Sequence, residues 1–165
     1  MDIKIPQNLK MVVFDLDETL QHNKTEHLPQ YVRDILQAFV EKDVPIALVS
    51  LNPSALLYLK LHKIMHLFTD VECRKHKKNL TNADEIIEYV CVTKNRMFER
   101  IMHRQKLKPE NILFFDDNVH NILEARAMKI KCVRVNPINL VRWRDVYLGL
   151  SMFNEGRQRR YSLDY

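Results

Sequence analysis

Two carboxylates spaced by two residues, Asp15 and Asp17, with a hydroxyl two further on at Thr19, directly follow the apolar run Met11-Val12-Val13-Phe14. A strand this apolar would ordinarily end in a neutral turn; here it delivers a cluster of charge. A second acidic pair, Asp116-Asp117, follows another apolar run, Ile112-Leu113-Phe114-Phe115. If these two runs are neighbouring strands, four carboxylates meet in one crevice. Like charges held that close are mutually unfavourable unless a cation neutralises them. An all-oxygen cluster suits a hard cation, and magnesium is the natural choice. A divalent cation beside a carboxylate points to phosphate chemistry, because it cancels repulsion between anions and holds a phosphoryl group in line for attack. Ser50, at the end of a third apolar run, offers a hydroxyl to a phosphoryl oxygen, and Lys94 offers an ammonium to the same negative charge.

Something must bring these distant residues together. Apolar runs at 11–14, 45–49, 68–73, 111–115 and 130–135 read as strands, most of them short and rich in β-branched residues. Between them lie helical patterns. Val32, Ile35, Leu36, Phe39 and Val40 share one face of a helix over 31–41, with Pro29 just before it. Helices are also expected over 53–62 with Asn52 as its cap, from Asn82 to about Tyr89, over 95–104 and over 119–127, with a final amphipathic helix carrying Leu140, Trp143, Tyr147, Leu150 and Phe153. Strands separated by helices imply an α/β fold with a parallel sheet covered on both faces. Right-handed crossovers restrict the strand order, and 3-2-1-4-5 is expected. That order places its switch point between the first and fourth strands, outside whose carboxyl ends ligands bind. Asp15 and Asp116-Asp117 stand at those two ends.

The segments Asp15-Leu16-Asp17-Glu18-Thr19, Ser50, Lys94 and Phe114-Phe115-Asp116-Asp117-Asn118, in that order, resemble the four motifs of the haloacid dehalogenase-like superfamily. The last segment, followed by Asn121-Ile122, further resembles its magnesium-dependent phosphatase branch. The resemblance runs from about Lys10 to Phe153. It implies a three-layer Rossmann-like domain over 1–154 that hydrolyses phosphate monoesters through an aspartyl phosphate. Asp15 would be the nucleophile and Asp17 the general acid and base. Ser50, with the backbone of Leu51 and Asn52, and Lys94 would hold the phosphoryl group, and Thr19 would support the loop. Magnesium would be bound by the Asp15 side chain, the Asp17 backbone carbonyl and Asp117, with Asp116 behind it. The gaps between motifs leave no room for a full cap domain, so phosphoprotein, including phosphotyrosine, and small sugar phosphates are the expected substrates. The Asp-Leu-Asp-Glu-Thr-Leu run also resembles phosphatases of the polymerase C-terminal tail. A nucleic-acid end phosphatase is a further alternative, and a catalytically silent binding module is the alternative of another class.

Composition bounds these readings. The chain has 165 residues, a net charge of +5 and ordinary apolar content, which suit one globular domain with anionic partners. No apolar run is long enough to span a bilayer, and no apolar signal core opens the chain, so a cytoplasmic or nuclear location without a membrane role is expected. Cys73, Cys91 and Cys132 are widely spaced and odd in number, which fits reduced thiols. The basic stretches Arg74-Lys75-His76-Lys77-Lys78 and Arg157-Gln158-Arg159-Arg160 read as solvated, the second within a polar tail over 155–165. Only two glycines are present, Gly149 and Gly156. The resemblance implies glycine after the helices ending near Lys42, Gln105 and Met128, and here Asp43, Lys106 and Lys129 stand at about those positions.

Overall fold

The computed structural model describes residues 2–23, 27–91 and 93–154; the expected tail over 155–165 lies outside them. Eleven principal elements alternate along the chain: β1 (Met11–Phe14), α1 (Gln30–Glu41), β2 (Ile46–Ser50), α2 (Ala55–Leu61), β3 (Asp70–Cys73), α3 (Ala83–Val90), α4 (Asn95–Gln105), β4 (Ile112–Asp116), α5 (Val119–Ala127), β5 (Lys131–Arg134) and α6 (Trp143–Ser151). The strands form one parallel sheet in the order β3-β2-β1-β4-β5, as expected. The three central strands are buried throughout. Up to Ser50 and Asp116 at the ends of β2 and β4 they are continuously apolar, because both faces of the sheet are covered.

Alternation along each strand divides the core in two. Val12, Phe14, Ile46, Leu48, Leu113 and Phe115 face α1, α2 and α6, which contribute Ile35, Phe39, Leu59 and Val146 among others. Met11, Val13, Ala47, Val49, Ile112 and Phe114 face α4 and α5 through Phe98, Ile101 and Ile122. Aromatic packing ties neighbouring elements: Phe14 stacks on Phe115 at 5.2 Å, and Phe98 meets Phe114 edge-on at 4.8 Å. Gly149 lies where α6 crosses β4; a Cβ there would sit 2.7 Å from Leu113 Cδ2. One of the two glycines thus serves close packing. The left-handed positions after helices fall to Asp43, Lys106 and Lys129, as expected, and also to Lys63, with φ of 57°, 53°, 73° and 56°. Each costs about 1 kcal/mol relative to glycine.

Two expectations need correction. Helix α2 begins at Ala55, with Ser54 before it. Asn52 does not cap it; its Oδ1 accepts from the Ser54 amide at 2.8 Å in a turn ahead of the helix, and its Nδ2 is used elsewhere. Helix α6 begins at Trp143, because Leu140 takes a left-handed φ of 58° and drops into the core ahead of the helix. Among the described residues no cap domain is inserted. Residues 15–23 make a tight turn, and the described residues between Arg74 and Lys94 hold α3 and a short helical turn. No helix among the described residues is long and apolar enough to cross a membrane.

Candidate active site

Strands β1 and β4 pair in register, Phe14 with Phe115, and the Asp15 amide donates to the Phe115 carbonyl at 3.0 Å. The acidic residues that end both strands therefore emerge side by side. Carboxylate oxygens of Asp15, Asp116 and Asp117 all lie within 4.8 Å of one another. Lys94, which precedes α4, is buried (3% exposed) with its Nζ 2.8 Å from Asp15 Oδ1 and 2.6 Å from Asp116 Oδ2. An ordinary surface lysine is excluded. Asp116 is fully enclosed and saturated with donors: Oδ1 accepts from the Asn118 amide at 2.8 Å and Oδ2 from Asn121 Nδ2 at 3.0 Å. Asn118 also caps α5, so one short turn positions both the acid and the helix.

One ammonium faces three carboxylates, and the electrostatics show the shortfall. Burial raises Asp15 to about 6, with Asp116 adding to the rise and Lys94 opposing it. Burial, then the charges of Asp15 and Asp116, raise Asp117 to about 7. Burial works against the charge on Lys94, yet Asp15 and Asp116 outweigh it and hold Lys94 above the ordinary value. Both raised carboxyls lie above their unfolded value of 3.8. Between about pH 4 and 7 the folded chain then binds more protons than the unfolded chain, and these groups lose stability for it as pH rises. Metal-free protein should therefore gain melting temperature from them on going from pH 8 to pH 5, an increment that Asp117→Asn reduces. Saturating magnesium should raise the melting temperature most at the higher pH. Thermal melts of both proteins across that range check this; a wild-type profile identical to that of Asp117→Asn would contradict it.

Asp17 is placed differently. Its side chain is held by Gln21, whose Nε2 donates to Asp17 Oδ1 at 3.2 Å, and by Asn52, whose Nδ2 donates to Oδ2 at 2.9 Å. The chain reverses tightly to make this possible. The amides of Leu20 and Gln21 donate to the Leu16 carbonyl, Glu18 takes φ of 60°, and its amide donates to the Gln21 carbonyl. Thr19 is buried within this turn, its hydroxyl 3.5 Å from Asp15 Oδ2, and its carbonyl accepts from the Val141 amide. Ser50 ends β2 beside β1, buried, with its Oγ accepting from the Asn52 amide at 3.1 Å. That amide is committed to Ser50 here.

Gln21 and His62 are the residues that sequence reasoning passed over. Gln21 is fully buried and His62 nearly so, with His62 Nε2 2.8 Å from Gln21 Oε1. Burial, then the positive charges of Arg33 and His27, push His62 below the ordinary imidazole value. Nothing in the spacing of Gln21 and His62, 41 residues apart, could have paired them. The one available signal was a glutamine just after the apolar Leu20, at a position that the turn makes interior.

Beside Ser50 and Lys94 opens a cleft of about 390 Å³ lined by Leu51, Arg74, Leu80, Tyr89, Thr93 and Met97 among others. It lies between α3 and the core. Arg74 stacks on Tyr89 at 3.7 Å, and Arg100 bonds both Glu72 and Glu88. Lys75 pairs with Glu85, so the basic run over 74–78 is partly neutralised, and its first two residues, Arg74 and Lys75, line the cleft.

The fold recurs in solved structures at low identity. A predicted phosphoglycolate phosphatase from Haemophilus somnus 129pt superposes with a TM-score of 0.57 at 14% identity, covering 78% of this chain and 85% of that one. An uncharacterized protein from Corynebacterium glutamicum gives 0.61 at 14%, covering 88% and 96%. A predicted HAD-like family hydrolase from Porphyromonas gingivalis gives 0.55 at 15%, covering 78% and 92%. No curated protein sequence matches the chain. Residues 21–155 match the acid phosphatase family. With the 3-2-1-4-5 sheet and the acidic cluster at its switch point, the chain thus belongs to the acid phosphatase family of the haloacid dehalogenase-like superfamily and is a phosphatase.

Proposed function

We propose that the chain is a magnesium-dependent phosphomonoesterase that works through an aspartyl phosphate, the acyl phosphate of Asp15. The observation that carries this reading is the buried Asp15 carboxylate, oriented by Lys94 and crowded by Asp116 and Asp117 at the ends of β1 and β4. A carboxylate so placed is a nucleophile for phosphorus. Asp15 attacks the phosphoryl group as the bond to the leaving oxygen breaks, and Asp17 gives that oxygen a proton. Asp17 then takes a proton from water as the water attacks phosphorus, which frees Asp15 and inorganic phosphate. Ser50, the backbone of Leu51 and Asn52, and Lys94 hold the phosphoryl oxygens, and Thr19 and Asp116 fix the loop and the lysine. The Asn52 amide joins only by exchanging its bond to Ser50.

The donor set fits a hard dication. It is all oxygen, carries more negative than positive charge, and leaves Asp117 poorly compensated while Asp116 is fully occupied by Lys94, Asn118 and Asn121. Asp15, Asp117 and the Asp17 carbonyl would hold magnesium, with Asp116 behind them. Bound there, the ion supplies charge that screens the phosphoryl oxygens from the carboxylates.

The neighbouring cleft is sized for a leaving group as large as a ring or sugar, and its charged walls are largely paired internally. This favours phosphoprotein, phosphotyrosine included, or small sugar phosphates over nucleic-acid ends. The test is phosphate release from phosphopeptides, sugar phosphates and a 3′-phosphorylated oligonucleotide, with magnesium and with chelator. Release from the first two groups should require the metal, and Asp17→Asn should lower kcat at least ~10²-fold. Undiminished release in chelator would remove the metal from the proposal. Preference for the oligonucleotide, with rates falling steeply as salt rises, would shift the substrate class.

A further inference from the structure

A buried polar bridge reaches the proposed acid from a direction that the chemistry above does not use. Gln21 Nε2 donates to Asp17 Oδ1, and Gln21 Oε1 lies 2.8 Å from His62 Nε2. With Asp17 Oδ1 accepting, the amide presents its NH₂ to Asp17 and its carbonyl to the imidazole. A carbonyl accepts only, so His62 carries its proton on Nε2. The orientation of every group in the chain is thereby determined.

The far end is anchored. His62 follows α2, its amide donating to the Tyr58 carbonyl at 2.9 Å. Its ring stacks near that of Tyr58, with centroids 6.4 Å apart and planes 24° from parallel. Its carbonyl accepts from Arg33 Nη1 of α1 at 2.7 Å. The near end is anchored by the Leu16–Gln21 turn, in which both the amide and the carbonyl of Gln21 are bonded. Gln21 has 0% and His62 4% of its surface exposed. Burying two polar side chains is costly unless they bond each other and a third group. An apolar pair would fill the same space without that cost, and would leave Asp17 with Asn52 alone.

We infer that Gln21, held by His62, is a positioning residue that aims the Asp17 carboxyl at the leaving oxygen. This rests on Asp17 acting as the acid in the function proposed above. The bridge matters in the step where the phosphorus–leaving-oxygen bond breaks, the Asp15–phosphorus bond forms, and the proton on Asp17 passes to the departing oxygen. A nitrophenolate leaves without that proton; an alkoxide does not. Loss of aim therefore penalises alkyl phosphates selectively, which a general loss of structure would not do.

The experiment compares kcat/KM for an alkyl phosphate and for p-nitrophenyl phosphate in the full-length magnesium-loaded enzyme. Gln21→Met, nearly equal in volume, should lower the alkyl value about 10²-fold and the aryl value by less than about 3-fold, so that the ratio of the two moves. His62→Leu should act in the same direction, and His62→Gln, whose amide nitrogen reaches the place of Nε2, should recover most of the alkyl activity. The His62 pair decides the matter should Gln21→Met not fold. Equal losses on both substrates, or His62→Gln no better than His62→Leu, would overturn the inference. Asp17→Asn is the control. If it discriminates between the substrates and Gln21→Met does not, the bridge alone fails; if it does not discriminate, the acid assignment fails and the bridge with it.

Discussion

Asp15→Asn is expected to abolish turnover while leaving the fold in place. A carboxamide cannot displace the leaving oxygen and be regenerated by hydrolysis, so phosphate release should fall by ~10⁴-fold or more, about 5 kcal/mol in the barrier. The geometry supports a clean experiment. The amide oxygen can still accept from Lys94 Nζ, now 2.8 Å from Asp15 Oδ1, and one of three crowded negative charges disappears. Melting temperature should therefore change little, and the variant should still bind phosphate esters. Steady-state phosphate release with a matched thermal melt checks both halves. Turnover within tenfold of wild type in a folded variant would remove Asp15 as the nucleophile.

Lys94→Met should damage stability and activity together. Its ammonium is the buried cation shared by Asp15 and Asp116. Removing one partner of a buried ion pair leaves uncompensated charge and costs about 3–5 kcal/mol. At about 2–4 °C per kcal/mol for a chain of this length, the melting temperature should drop by some ten degrees at pH 7. Lys94 holds Asp15 down against burial, so without it the carboxyl takes up a proton more readily. The deficit should accordingly shrink toward pH 5, and saturating magnesium should recover part of it at pH 7. Activity should fall by ~10²- to 10³-fold, the usual scale for losing a group that stabilises developing charge. A variant as stable as wild type at pH 7 would show that the carboxylates are neutralised by other means.

Much of the site could be read without coordinates. Asp15, Asp116, Asp117, Ser50 and Lys94 each stand at the end of an apolar run or the start of a helical one, and the crossover rule then brings them to one edge of the sheet. The structure places Asp15, Asp116, Asp117 and Lys94 together there. The left-handed helix ends at Asp43, Lys106 and Lys129 were legible through the family resemblance, which implies glycine at about those positions; Lys63, left-handed after α2, was not. The side-chain partners were not. Asn52 looked like a helix cap and instead serves Asp17 and a preceding turn; a cap and a turn residue share one local pattern. Leu140 looked like part of the last helix, because an apolar residue packs into the core equally well from a left-handed loop position.

The physical division follows from range. Apolar periodicity and strand-end acids are local, and they determined by themselves a parallel sheet whose switch point gathers carboxylates. Which oxygen meets which donor depends on chain segments tens of residues apart meeting at ångström precision. Only the packed structure decided that Asp116 is spent on Lys94 and its own turn, that Asp117 is left poorly compensated, and that Gln21 and His62 reach Asp17. Burial decided it: once the core closes over these groups, each must find a partner or be neutral, and that demand acts in three dimensions rather than along the chain.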